Sequence, residues 1–215
     1  MAAEYRSLVV DRHARIGIVG DLTNATEAWL ILHGYGMLAQ GILHWFRAAE
    51  RPGRVLIAPE ALSRFYAEEK GIRRVGASWM TREDRENDLA DQQAYLDRVV
   101  REFVGVIPRL ELHGFSQGVA AGARWVIRGV RPVARLVCWG GTVPHEIDPA
   151  ALGQLLGGNP VHFAVGERDH WVAPTLVEAD AARLREGGCP TVVHHFVGGH
   201  RVDNGVLELL EAAAG

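Results

Sequence analysis

Leu112-His113-Gly114-Phe115-Ser116-Gln117-Gly118 lies between an apolar stretch, Val106–His113, and a helix-like stretch, Gln117–Arg128. The run reads G-x-S-x-G, the sequence form of a nucleophile elbow. Such a turn from strand to helix is so tight that the nucleophile adopts a strained backbone. Side chains two residues to either side would collide, which explains glycine at Gly114 and Gly118. With only four serines and 25 glycines in 215 residues, chance supplies roughly 0.05 such matches. The weight of the motif therefore rests on what surrounds it.

Around it, short apolar strand candidates alternate with longer helical ones. Ser7–Val10 and Arg15–Val19, separated by a polar turn, predict an antiparallel hairpin. Ala28–Leu32, Arg54–Ala58, Val106–His113, Ala134–Trp139, Val161–Val165 and Thr191–Val197 read as strands. Leu38–Glu50, Thr81–Phe103, Gln117–Arg128, Pro174–Glu186 and Gly205–Ala213 read as helices. The longest opens on Thr81-x-x-Asp84, a capping-box pattern. It carries Leu89, Leu96, Val99, Val100 and Phe103 as an apolar stripe. Repeated strand–helix units predict an α/β fold, a mostly parallel sheet with helices on both faces. Chemistry in such sheets sits beyond the carboxyl ends of the strands. The stretch Glu60–Met80 is the least regular and is expected to wall the substrate site.

Composition sets bounds. The length suits a single domain, 1–215, with one sizeable core. Apolar residues make up 48% and charged residues 23%, ordinary for a soluble globular protein. A net charge of −3, with arginines offset by 26 acidic residues, argues against nucleic-acid binding. Cys138 and Cys189 lack metal-type spacing and make no disulfide framework. The first residues lack a basic region followed by an apolar run, so no secretory signal is expected. No run approaches the roughly 18 apolar residues of a membrane span. A cytoplasmic enzyme without integral membrane association is the expectation.

A serine hydroxyl needs a histidine to take its proton, and that histidine needs an orienting carboxylate. After an elbow serine the order is Ser, Asp, His. Asp169 lies in Val165-Gly166-Glu167-Arg168-Asp169, just past a strand. A turn aspartate capping the next helix is the ordinary explanation, and Glu167 is a rival two residues away. Asp169 is favoured because a G-x-x-D turn after the penultimate strand sets the acid in the usual position. His200 ends Val197-Gly198-Gly199-His200, past the last strand, where two glycines let the loop bend toward the elbow. His194 and His195 fall within the strand and face opposite sides, which disfavours a metal cluster with His200. The developing oxyanion needs donors. One is expected from the backbone N–H of Gln117. The other is expected from the loop Leu32-His33-Gly34-Tyr35-Gly36-Met37, at the N–H of Tyr35.

With these residues in place, the chain resembles the phospholipase/carboxylesterase family of α/β-hydrolases, which includes acyl-protein thioesterases. The matching segments are L-H-G-Y-G-M (Leu32 to Met37), G-F-S-Q-G (Gly114 to Gly118), the turn ending at Asp169, and G-G-H ending at His200. The resemblance runs from about Ala28 to the C-terminus. The resemblance implies an α/β-hydrolase fold without a large lid. It implies Ser116, Asp169 and His200 as catalytic residues and Tyr35 and Gln117 as the oxyanion hole. It implies action on a small-molecule ester or acyl-lipid substrate, with thioesters and lysophospholipids as alternatives and no metal or organic cofactor. Many members carry an acidic residue where Met37 stands, and Ser78-Trp79-Met80 lacks the acid of a Trp-Phe-Asp segment. Trp79, Met80, Phe115, Trp139 and Trp171 are candidates for an apolar acyl site. A ligand-binding protein that kept the fold without catalysis is the contrasting expectation. A homodimer could use an apolar edge strand or exposed helix.

Overall fold

A computed structural model describes residues 3–69 and 71–212. Seven strands form one sheet in the order β1 (Ile16–Val19), β3 (Arg54–Pro59), β2 (Glu27–Leu32), β6 (Arg109–Phe115), β7 (Arg135–Trp139), β8 (Val161–Gly166), β9 (Thr191–Phe196). β1 alone runs antiparallel, Ile16 pairing with Pro59 and Val19 with Leu56. β4 (Ser63–Glu69) and β5 (Ile72–Ser78) make a separate antiparallel hairpin. All of β2 and β3 is buried, as expected of strands covered on both faces.

Alternate residues of β2 feed two cores. Ala28, Leu30 and Leu32 join the layer containing Leu96 and Val99 of α2 (Arg85–Val99), Val119 of α3 (Gln117–Arg128), Leu152 of α4 (Pro149–Leu155) and Val177 of α5 (Pro174–Glu186). Trp29 and Ile31 join Ile42 of α1 (Ala39–Trp45) with Val206 and Leu207 of α6 (Asn204–Ala212). The helix leaving the elbow lies close on the sheet because its facing residues are small. A Cβ at Gly122 would stand 2.4 Å from the Leu112 side chain.

Four expectations need correction. Ser7–Val10 forms no strand, and β1 pairs with β3 instead. Ser7 Oγ accepts from Asn87 at 2.7 Å, and the Arg15 carbonyl accepts from the Glu60 N–H at 2.9 Å. The first contact sets Ser7 against α2, and the second continues the pairing of β1 with β3 by one residue. The long helix begins at Arg85, not Thr81. The Thr81 N–H donates to the Asp88 carboxylate at 2.8 Å, which makes a turn in place of a capping box. Beyond Val99 that helix widens into a π turn through Val104. Glu60–Met80 holds the β4–β5 hairpin, hidden in the sequence by Glu68, Glu69, Arg73 and Arg74 among its apolar positions. α4 was also unforeseen, although Asp148 caps it by accepting from the Ala150 and Ala151 N–H groups, with Pro149 following. The expected end of the last helix, Ala213, lies outside the described residues. Among the described residues no helix is long and apolar enough to cross a membrane.

Candidate active site

Ser116 closes β6 and caps α3 with φ 53° and ψ −116°. Among the described residues it is the one non-glycine with positive φ. The side-chain-free neighbours are a physical requirement. A Cβ at Gly118 would stand 2.2 Å from the Leu32 carbonyl oxygen, and one at Gly114 would stand 2.6 Å from that of Gly118. The strained serine backbone is tied down by its own N–H, which donates to the Trp139 carbonyl at 2.8 Å.

Asp169 and His200 meet. His200 Nδ1 lies 2.7 Å from Asp169 Oδ2, and the carboxylate is buried. Its other oxygen accepts from the N–H groups of Trp171 and Val172, each at 2.9 Å. The carboxylate is therefore held by three partners and aimed at the imidazole. Glu167 is exposed, so the turn gives the histidine Asp169 and not its rival. The Phe115 ring packs 4.6 Å from that of His200, which sets the histidine against the residue preceding Ser116. A hydrogen bond between Ser116 and His200 is not among the contacts of the described residues. His194 and His195 turn elsewhere. The first bonds His162 at 3.1 Å and the second Glu178 at 2.7 Å. Among the described residues no group of three His, Cys, Asp or Glu side chains is placed to hold a metal ion.

The loop after β2 crosses over the elbow. A Cβ at Gly34 would stand 2.9 Å from the Phe115 ring and 3.2 Å from Ser116 Cβ. Gly34 to Met37 form a turn, closed by the Met37 N–H donating to the Gly34 carbonyl at 3.2 Å. Its third residue, Gly36, has φ 72°, the value that favours glycine in a type II turn. The Gly36 N–H goes to the Ala77 carbonyl at 2.9 Å, tying the turn to the hairpin. The N–H groups of Tyr35 and Gln117 have no hydrogen-bond acceptor among the described residues.

The acyl-site candidates separate. Trp171 is 84% exposed, 6.4 Å from the His200 ring. Phe115 is buried between His200 and Trp45. Trp139 is core, its indole N–H directed at His113 Nδ1. Trp79 is 5% exposed and donates its indole N–H to the His33 carbonyl at 2.8 Å. Met80 is half-buried, with its carbonyl accepting from Gln117 Nε2 at 3.0 Å. Three features escaped the sequence reading. The Gln117 side chain braces the end of the hairpin, accepting from the Trp79 N–H at 3.0 Å. The His33 side chain is wholly buried under its own loop. Gly140 lies beneath the His200–Asp169 pair, where a Cβ would stand 2.9 Å from His200 Nδ1 and 3.3 Å from Asp169 Oδ2. The readable signal for the last was Gly140-Gly141 directly after a strand. A groove of about 420 Å³ between β1 and α1 contains none of the candidate residues.

No family model and no curated protein matches the sequence. Solved structures do match. A Mesorhizobium loti carboxylesterase superposes with a TM-score of 0.72 at 16% identity, over 96% of this chain and 98% of its own. Zea mays acyl-protein thioesterase 2 gives 0.70 at 16%, over 94% and 100%. A phospholipase/carboxylesterase from Dyadobacter fermentans gives 0.67 at 19%, over 95% and 97%. The chain thus has the α/β-hydrolase fold of these proteins across nearly its whole length.

Proposed function

We propose that the chain is a single-domain serine hydrolase of carboxylic esters, working through an acyl-enzyme on Ser116. One observation carries the reading. A strained serine at the strand–helix elbow follows Phe115, whose ring packs on the His200 of an Asp169–His200 pair with a buried carboxylate, and it lies under the Gly34 turn, where the Tyr35 N–H has no acceptor among the described residues. Ser116 Oγ attacks the ester carbonyl as His200 takes its proton. Asp169 fixes the histidine tautomer and stabilises the imidazolium. The hydrogen bond by which His200 takes the Ser116 proton tightens as substrate binds. The Tyr35 and Gln117 N–H groups receive the oxyanion, each worth about 2.7–4 kcal/mol of barrier. His200 then protonates the leaving alcohol, and water releases the acid by the reverse path. The structural neighbours named as esterases and thioesterases support this chemistry.

The test is hydrolysis of p-nitrophenyl esters from acetate to long chains, by the native protein and Ser116→Ala. Turnover abolished by the substitution is the expected result, and its chain-length profile separates small esters from acyl lipids. A folded native protein inert toward every ester and thioester would overturn the reading in favour of a binding protein.

A further inference from the structure

We propose that His33 is the positioning residue of the oxyanion hole, its Nδ1–H holding the Gly34 carbonyl so that the Tyr35 N–H faces Ser116. This rests on the serine-hydrolase reading above. His33 is fully buried. Its Nε2 accepts a hydrogen bond from the Ala61 N–H at 3.0 Å, so that nitrogen must carry a lone pair. The proton therefore sits on Nδ1, which lies 2.8 Å from the Gly34 carbonyl oxygen. An imidazolium would set N–H against N–H at Ala61. Burial also pushes the imidazole pKa down, against opposing contributions from Gly34 and Glu60, which keeps the ring neutral.

The consequence follows from covalent geometry. The Gly34 carbonyl and the Tyr35 N–H belong to one peptide plane, and in a trans peptide they point in opposite directions. Among the described residues no peptide bond is cis. The Met37 N–H that closes the turn also reaches this carbonyl, at 3.2 Å, and the shorter bond from His33 Nδ1 holds it from the buried side; the N–H of the same plane is thereby turned outward, across the loop that lies on Ser116. The preceding peptide is fixed as well, because the Trp79 indole holds the His33 carbonyl at 2.8 Å. Trp79 is in turn held by the Gln117 side chain. One donor residue thus braces the support of the other.

The experiment separates the two nitrogens of the ring. Asn at this position keeps a donor in the place of Nδ1 but loses the acceptor for Ala61, whereas Gln keeps an acceptor in the place of Nε2 and loses the donor. With p-nitrophenyl acetate, His33→Gln and His33→Phe are expected to lower kcat by about 10²–10³, the effect of losing one oxyanion donor. KM should stay within a few-fold, and His33→Asn should recover most of kcat. Equal kcat losses in the Asn and Gln variants, or losses confined to KM, would overturn the proposal. Long-range ¹H–¹⁵N correlation on the native protein gives a test free of any variant: the Nδ1–H tautomer is required, and Nε2–H would refute it. If the native protein is labelled at Ser116 by an organophosphate yet shows normal kcat in His33→Phe, the positioning role fails alone. If no label forms on Ser116, the hydrolase reading itself fails.

Discussion

Asp169 and Glu167 are two residues apart in one turn, and the structure gives them different surroundings. Asp169 is buried and bonded to His200 Nδ1 and to two backbone N–H groups. Glu167 faces solvent. Asp169→Asn should therefore reduce the acylation rate by about 10⁴, the usual cost of the wrong histidine tautomer. Glu167→Gln should leave it within two-fold. Stopped-flow acylation by a p-nitrophenyl ester reads both, and a severe Glu167→Gln would mean that the acid has been misassigned.

Elements carry these residues to one end of the sheet, and the turns between element and loop do the positioning. Gly140, after β7, has φ 52° and lies against the histidine–aspartate pair. Gly140→Ala should cost about 1–2 kcal/mol of stability from the left-handed backbone. By displacing His200 it should cost activity on the order of 10²-fold, as expected of an ångström-scale misplacement. Urea unfolding beside steady-state kinetics would show the disproportion, and losses accounted for by unfolding alone would contradict it. At this scale the sequence was legible wherever one principle governed. β2, β3 and β7 could be read from the apolar runs Ala28–Leu32, Val55–Ala58 and Leu136–Trp139 because both faces are covered, and α3 matches Gln117–Arg128 because the elbow fixes its start. The hairpin β4–β5 escaped because its outward charges mask the alternation. The strand expected at Ser7–Val10 is absent: β1 takes β3 as its partner, and Ser7 bonds Asn87 of α2, both distant in sequence. His33 escaped for the same reason. A lone histidine in a glycine loop acquires a role only when Ala61 and Gly34 are brought to its two nitrogens.

Across the whole molecule, two ionisable side chains carried by the sheet strands themselves, Glu111 of β6 and His162 of β8, tie stability to pH. Burial pushes the Glu111 carboxyl pKa up, but His113, Arg135 and Arg109 outweigh it and hold it down at about 2. Burial, with His194 and Arg135 adding to it, pushes the His162 pKa down to about 4. Both folded values lie below the ordinary ones, 4.5 and 6.5. Each group thus contributes stability that is present above its ordinary value and lost as pH falls through its folded value. Stability should decline from near pH 6.5 toward 4 through His162, and further toward 2 through Glu111. Urea midpoints across this range should show His162→Gln flattening the upper part. Stability that rises on acidification would contradict the assignment.

The proposed function makes Ser116 a nucleophile activated by His200 and Asp169. Its most direct test is intact-protein and peptide mass spectrometry after exposure to a fluorophosphonate. One adduct, on Ser116, that forms much more slowly in His200→Ala and is absent from Ser116→Ala, is the expected result. A folded protein that takes no adduct, or takes it on another residue, would contradict the account.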